Sequence, residues 1–341
     1  MFQMLRPSAR LTPLPLALGI VALGLGCRTL DLTGDPIPAE WTRAALERMT
    51  PSASLNAAVE AACRETVAQH APDLADMDHI WATVIDLNRP QGLVMGSWHG
   101  DEQVYPASVI KTVFMVHVFQ KIAARELVMS PRLDDILRRM IRVSENIATQ
   151  HVVDLLSGVT NGQRIENTEA YDQWVFARNT TNRLMRQYGF RNMNANQKTW
   201  DELPAPDSVE LQFLGGDHFM GYENGNRLTT NDIARLMALI ERREIVSPGA
   251  CEAMLDLMER RDRWWRYGDE HRPIGAAMPW RSHEWSKSGS TGRFRHDSAI
   301  IALPDGRRFA FAVFTLVNAR EGLERDAILG DWARAMLARL P

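Results

Sequence analysis

Apolar residues recur at helical spacing near both ends of the chain. Between Leu55 and His70 they fall every four positions, which predicts a helix with Ser54 as a possible cap. The same spacing from Ile328 to Leu340 predicts an amphipathic helix over residues 325–340 that closes the chain. Similar patterns predict helices in the interior over residues 109–122, 133–158 with a break at 143–146, 167–188, 233–240 and 248–258.

Shorter apolar runs have the length and turn signals of strands. Two early runs, 81–87 and 92–97, are separated by a turn sequence, and three late runs cover 283–288, 298–303 and 308–317. The simplest packing is an α+β fold, an α/β sandwich. It has one antiparallel five-stranded sheet made from both chain ends and flanked by helices, with an all-helical subdomain inserted over about residues 109–280.

The first 26 residues have the form of an export signal. Arg6 and Arg10 precede an apolar run over 14–26 that is too short for a comfortable membrane span. Cys27 follows directly and resembles a bacterial lipoprotein cleavage site, although Gly24 stands where Leu is usual; plain signal cleavage is the alternative. We therefore expect export to the bacterial periplasm or cell envelope, with a lipid anchor as one possibility.

This organisation places a signal over 1–26, a Pro- and Thr-rich tether over 27–52 and one domain over 53–341. The net charge of −3 gives no indication of nucleic-acid or general membrane-surface binding. No C-x-x-C or His-rich spacing is present, so neither a metal nor another cofactor is expected. We expect a monomer. Cys63 and Cys251 could form a disulfide in an exported protein or stay as buried thiols.

The chemistry of the chain centres on Ser108 and Lys111, at the start of the apolar helix. Three residues apart, they lie on one helical face about one turn from each other. The chain has only four lysines beside 35 arginines (39 basic residues less four), and arginine cannot accept a proton. A buried lysine amine can, so the spacing indicates an activated serine. Alternatively, Ser108 merely caps the helix and Lys111 is solvated.

Two further short motifs lie downstream. Lys287, Ser288 and Gly289 end a predicted strand, and such a triplet is rare by chance in a chain so poor in lysine. Ser144 and Asn146 flank Glu145 at the start of a helix, a pattern that is weak alone and could be an ordinary cap.

Together the three motifs resemble the S-x-x-K, S-x-N and K-[S/T]-G set of class A β-lactamases and related penicillin-binding serine acyltransferases. They occur in the same order, each in the expected structural context. Thr229 and Thr230 before a helix, the strand from Asp297 to Leu303 and the terminal helix extend the resemblance from about residue 52 to the end.

The resemblance implies a role for each matching residue. Ser108 is expected to be the nucleophile, Lys111 its base and Ser144 the proton relay to the leaving nitrogen. The expected substrate contacts are the amide of Asn146, a carboxylate site at Lys287, Ser288 and Gly289, and an oxyanion hole formed by the backbone N–H groups of Ser108 and Ser290. Arg295 is either a second carboxylate clamp or a surface arginine.

One departure from the family pattern bears on turnover. The family's omega loop carries a glutamate that activates water for deacylation, but the matching segment here, residues 192–200, has no acid. Glu202 is a possible substitute base a few residues on. We therefore predict fast acylation followed by slow turnover.

Three functions remain open. The first is a β-lactamase-like hydrolase that opens a β-lactam or related amide. The second is a peptidase or transpeptidase acting on D-Ala-D-Ala-type peptides, or a slow-turnover penicillin-binding protein. The third is a non-catalytic envelope lipoprotein that binds peptidoglycan fragments, which needs neither Ser108 nor Lys111. The expected partner is thus a small molecule or a peptide.

Overall fold

The structure is a computed structural model, and it describes residues 34–90, 92–215, 224–260, 273–318 and 326–340. The predicted signal, Cys27 and the start of the tether lie outside the described residues. Of the helices within those ranges, none combines the length and the apolar character needed to cross a membrane.

One sheet of six strands forms the centre of the fold. Its order is β1-β3-β2-β6-β5-β4. The strands are β1 Thr50–Pro51, β2 Ile80–Asp86, β3 Val94–Trp98, β4 His283–Thr291, β5 Phe294–Ala302 and β6 Arg308–Leu316. Neighbours pair antiparallel except β1, which pairs parallel with β3. The predicted α+β fold, with a sheet drawn from both chain ends, is confirmed, while the sheet has one strand more than predicted and is mixed.

The helices described are α1 Ala39–Glu47, α2 Ala53–His70, α3 Lys111–Ala123, α4 Pro131–Arg142, α5 Asn146–Ser157, α6 Thr168–Arg178, α7 Thr180–Gln187, α8 Val209–Leu214, α9 Thr230–Arg242, α10 Pro248–Met258, α11 Pro273–Ala276 and α12 Asp326–Leu337. A core that includes Val59, Phe311 and Trp332 joins α2 and α12 to the sheet. Helix α9 packs on β2, β5 and β6, and α10 connects it to α3, α4 and β4. The buried helix α3 thus carries the Ser108 region into the centre of the molecule.

Several boundaries differ from the sequence predictions. Residues 39–52 belong to the folded domain rather than to a tether, because α1 buries Thr42 and Ala45 and is followed by β1. Ser52, not Ser54, caps α2 by accepting from the N–H of Leu55. The helix predicted over 167–188 is two helices that meet at Asn179. The irregular segment 192–226 contains α8, and only part of the loop predicted over 262–281 lies within the described residues.

Cys63 and Cys251 are both free and buried. Burial raises the pKa of each thiol to about 12, because an apolar environment disfavours the thiolate. The two cysteines are therefore packing residues, which decides between the two alternatives left by the sequence.

Candidate active site

Ser108 and Lys111 span one turn of 3-10 helix that leads into α3. Residues Ala107–Ile110 form this turn, and Lys111 is the first residue of α3. Because side chains three apart eclipse in a 3-10 helix, Ser108 and Lys111 lie on the same side of the turn. Ala107, just before the serine, has a positive φ of 45°. A non-glycine residue keeps such a conformation only where its surroundings hold it, and such strain is concentrated at functional sites.

The amine of Lys111 is fully buried and has described partners on the Ser144 motif. Its Nζ donates to the backbone oxygen of Ser144 at 2.5 Å and to Oδ1 of Asn146 at 2.9 Å, and lies 3.3 Å from Oγ of Ser144. No hydrogen bond between Lys111 and the Ser108 hydroxyl occurs among the described contacts. Burial lowers the pKa of Lys111 to about 7, against the charges of Asp201 and Glu145, which raise it.

Ser144 is presented by the break between α4 and α5. It has a positive φ of 60°, which turns the chain sharply before α5 begins at Asn146. Its Oγ lies 3.3 Å from Nζ of Lys111 and 3.0 Å from Nζ of Lys287. One hydroxyl therefore joins two buried amines, and a hydroxyl that can both accept and donate is suited to pass a proton between them.

Lys287 comes from β4, which is an edge strand of the sheet. Its side chain is 1% exposed, and Nζ also donates to the backbone oxygen of Ser288 at 2.6 Å. Burial lowers its pKa well below the usual value, and the positive charges of Lys111 and Arg260 lower it further. The site is therefore poorly solvated, a setting that favours the neutral form of both amines.

The rest of the third motif follows along β4. Ser288 is buried and Ser290 is exposed, and a β-carbon placed on Gly289 would lie 2.9 Å from the backbone nitrogen of Ser108. The strand therefore passes directly beside the Ser108 turn. Arg295 lies on the next strand and donates to the backbone oxygens of Gly292 and Phe294 in its own turn.

An acid that sequence reasoning passed over lies at this site. Oδ1 of Asp201 accepts from Nδ2 of Asn146 at 2.5 Å, and its charge acts on Lys111. Glu202 is exposed, and no contact joins it to the other candidate residues in the described part of the chain. The acid was missed because it stands one residue beyond the segment compared with the omega loop.

Residues 195–199, in the loop that leads to the exposed Asp201, are buried, although their composition favours an exposed segment. Asn226 holds this segment by accepting from the N–H groups of Asn196 and Gln197 and by donating to the backbone oxygen of Gln197. Oε1 of Gln197 in turn accepts a hydrogen bond from the N–H of Asn226 at 3.0 Å. The asparagine and glutamine side chains thus supply the hydrogen bonds that a buried backbone needs. Their frequency in this segment was the sequence signal that could have predicted its burial.

Chemically, the arrangement combines a half-buried serine, two buried amines, a hydroxyl between them and a nearby carboxylate. This is the equipment of serine acyl transfer, in which a base activates the serine and a relay protonates the leaving group. No group of three or more His, Cys, Asp or Glu side chains that could hold a metal ion is found in the described part of the chain.

A model of the beta-lactamase enzyme family matches residues 128–340, which is more than half of the chain. The protein therefore belongs to the beta-lactamase enzyme family. The match contains the motifs at Ser144 and Lys287, while Ser108 and Lys111 precede it. No curated protein matches the chain.

Solved structures give the same fold. A beta-lactamase from Sphaerobacter thermophilus DSM 20745 is 21% identical with a TM-score of 0.57, and the match covers 82% of this chain and 96% of that one. PBP-A is 18% identical with a TM-score of 0.56, over 84% and 96%. The TLA-1 extended spectrum beta-lactamase is 13% identical with a TM-score of 0.59, over 84% and 99%. At these identities the likeness establishes the β-lactamase fold alone and does not identify a substrate.

Proposed function

We propose that the protein is a serine hydrolase that opens a β-lactam or a related amide through an ester on Ser108. The observation that carries this proposal is the burial of two amines, those of Lys111 and Lys287, around the hydroxyl of Ser144. No salt bridge compensates either amine among the described residues, so their burial costs stability. A surface that only binds peptidoglycan has no need of this arrangement, which argues against the non-catalytic alternative.

Acylation uses the neutral amine of Lys111. It accepts the hydroxyl proton of Ser108 while the serine oxygen bonds to the carbonyl carbon of the substrate. The carbon–nitrogen bond then breaks, Ser144 passes the proton to the leaving nitrogen, and an ester remains on Ser108. The backbone N–H groups of Ser108 and Ser290 are proposed to stabilise the oxyanion.

The remaining residues bind the substrate. Lys287 and Ser288, with Gly289 beside them, receive a carboxylate of the substrate, and Arg295 stays a candidate for a second contact. Asn146 presents its amide to the substrate, while its Oδ1 accepts from Lys111 and its Nδ2 donates to Asp201.

Deacylation requires a base that aims water at the ester. We propose Asp201 for this step, because it is hydrogen-bonded to Asn146 beside Lys111, and we keep Glu202 as the alternative base. Water adds to the ester carbonyl, its proton passes to the carboxylate, and the ester bond breaks as the Ser108 oxygen is reprotonated. Aspartate is one methylene shorter than the family's glutamate and already accepts a hydrogen bond, so we expect this step to be slow.

A second candidate function is that of a slow-turnover penicillin-binding protein or a peptidase on D-Ala-D-Ala-type peptides. The missing acid in residues 192–200 favours it, since it leaves acylation intact and weakens hydrolysis. PBP-A, one of the proteins with this fold, has been solved as a mutant acyl-enzyme complex with penicillin-G.

The experiment that tests the proposal is intact-protein mass spectrometry after incubation with a panel of β-lactams and with a D-Ala-D-Ala peptide. Wild type should gain one adduct, and the Ser108→Ala variant should gain none. An adduct that persists in Ser108→Ala would overturn the assignment of the nucleophile. A β-lactam adduct that clears, even slowly, while the peptide is not cleaved supports the first function, and a β-lactam adduct that stays while the peptide is cleaved supports the second.

We further propose that the protein is exported and attached to the cell envelope through lipid on Cys27. The apolar run before Cys27 supports this proposal. Labelled palmitate should enter wild type and not Cys27→Ser, and equal release of both proteins into the soluble periplasmic fraction would argue for plain cleavage.

A further inference from the structure

One face of α5 is bonded along its length to the loop that carries Asp201. Asn146, Gln150 and Asp154 stand four residues apart on α5 and therefore share a face. Asn146 donates to Asp201 at 2.5 Å, and Gln150 donates to the backbone oxygen of Thr199 at 3.0 Å. Asp154 pairs with Nζ of Lys198 at 2.6 Å. We call this set of three contacts the α5 ladder.

The last contact of the α5 ladder lies in a cluster of four charges, of which three are buried and one, Asp154, is partly exposed. Lys198 is 3% exposed and is 3.3 Å from Oε1 of Glu210, which α8 contributes. Arg178, at the end of α6, pairs with the same Glu210 and lies 4.0 Å from Asp154. The cluster thus ties α5, α6 and α8 to the loop, with two positive and two negative charges.

A buried ion pair is a specific anchor rather than a strong one. Its attraction roughly offsets the desolvation of the two ions, but an ion left without its partner is costly, so only one arrangement of the loop is tolerated. Lys198 also stacks at 5.7 Å over the ring of Trp200, the residue before Asp201. The position of Lys198 therefore sets where the next three residues lie.

We propose that Lys198 is a positioning residue for the reaction: through its ion pair with Asp154 it fixes residues 198–201 on α5 and so holds the carboxylate of Asp201 against Asn146 and near Lys111. This inference rests on the proposed function for its catalytic consequence, but the placement of Asp201 can be measured without any substrate. Lys198 itself touches no reacting atom.

The amine of Lys111 reports on the placement of Asp201. The charged groups that act on it are Asp201 from the loop, Glu145 from the start of α5 and Lys287 from β4. Asp201 and Glu145 raise the pKa of Lys111, and loss of Asp201 from its place should lower it. Because the chain has only four lysines, their Cε resonances in a lysine-labelled sample can be followed one by one in an NMR titration.

The test variant is Lys198→Met with Asp154→Asn, which removes one charge of each sign and leaves Arg178 paired with Glu210. We expect the titration midpoint of Lys111 to move to lower pH, as it should in Asp201→Asn. When Lys198→Met and Asp154→Asn are introduced into the Asp201→Asn variant, the titration midpoint of Lys111 should not move further. The conservative variant Lys198→Arg should keep the wild-type midpoint, because it retains the charge. A Lys111→Met sample assigns the resonance.

A matched control is His70→Gln with Asp331→Asn, which removes a half-buried pair at 2.7 Å between α2 and α12, on the other side of the sheet. It should leave the Lys111 midpoint unchanged at a similar loss of thermal stability. An unchanged midpoint in a folded Lys198→Met/Asp154→Asn protein overturns the proposal, as does an additive movement in the Asp201→Asn background. If the double variant does not fold, Gln150→Leu tests the adjoining contact of the α5 ladder by the same criterion.

Mass spectrometry of the acyl adduct adds the catalytic consequence. Where wild type forms an adduct, the double variant should form it too and retain it about tenfold longer or more, since a misplaced base loses much of its effect. If wild type forms no adduct at all, the proposed function fails, while the titration still decides the placement of Asp201.

Discussion

Gly289 lies so close to Ser108 that no side chain fits between them. A β-carbon at position 289 would be 2.9 Å from the backbone nitrogen of Ser108, and equally close to the backbone of Pro106 and Val109. Both sides of this contact are backbone, which cannot rotate away as a long side chain can. The edge strand β4 and the 3-10 turn are therefore locked in one spacing, and that spacing sets the position of the expected oxyanion hole.

Gly289→Ala is expected to fold and to acylate about 100-fold more slowly or worse, the loss that follows when an oxyanion donor is displaced. The added methyl must push β4 away from the Ser108 turn. The rate of adduct formation measured by mass spectrometry checks this. Gly162→Ala is the control, because a β-carbon there meets nothing within 4 Å. Equal acylation by both variants would contradict the expectation.

Lys111→Met is expected to be inactive and more stable than wild type by about 1–3 kcal/mol near neutral pH, because it removes a buried amine that forms no salt bridge in the described structure. Lys111 has a pKa of about 7 in the fold, below its ordinary value in the unfolded chain. Between those values the unfolded chain binds more protons, so the contribution of Lys111 to stability rises with pH. Urea unfolding should show the advantage of Lys111→Met shrinking from about pH 7 to about pH 10. A stability gain of Lys111→Met that does not change with pH would exclude the lowered pKa of Lys111 as its cause.

The strands and most helices could be predicted because each buries an apolar face of regular period. Strand β1 could not, since Thr50 and Pro51 are two exposed residues with no periodicity and are ordered only by pairing with Val94 and Met95. The boundary of the tether was misplaced for a related reason: α1 begins after Pro38 without a side-chain cap.

The sequence motifs singled out Lys111, Ser144 and Lys287, whose side chains meet at hydrogen-bonding distance, while the catalytic roles given to them stay predictions. The loop was not. Lys198 is buried between partners on two different helices, Asp154 on α5 and Glu210 on α8, and sequence spacing carries no information about such distant pairs. Choosing between Asp201 and Glu202 likewise depended on which of two neighbouring side chains turns toward Asn146.

Acylation should depend on pH through Lys111. The neutral amine is the base, so the rate should rise as pH increases through about 7, where the buried amine loses its proton. The charge of Glu145 raises this pKa, so Glu145→Gln should move the rising limb to lower pH. Single-turnover acylation followed by mass spectrometry across the pH range measures both effects. A flat profile in wild type would show that another group removes the serine proton.

Deacylation should distinguish the two acids that follow Trp200. Both acids are exposed, but only Asp201 bonds to Asn146 beside Lys111, so Asp201→Asn should lengthen the life of the acyl adduct and Glu202→Gln should not. A positioned general base contributes roughly 100- to 10,000-fold, and we expect Asp201→Asn to fall near the lower end of that range because the aspartate is short.

Wild type itself should show a burst, in which one equivalent of β-lactam opens quickly and steady turnover is slow. The asparagine of Asp201→Asn still accepts the bond from Asn146, so acylation should be nearly preserved and the change confined to hydrolysis. A chase of the preformed adduct, followed by mass spectrometry, separates the two steps. Should Glu202→Gln alone prolong the adduct, the base must be Glu202, and the loop must move on acylation to bring it to the ester. Should neither variant matter, Lys111 remains as the group that can activate water, and the adduct's lifetime should then shorten as pH rises through about 7, where this amine becomes neutral.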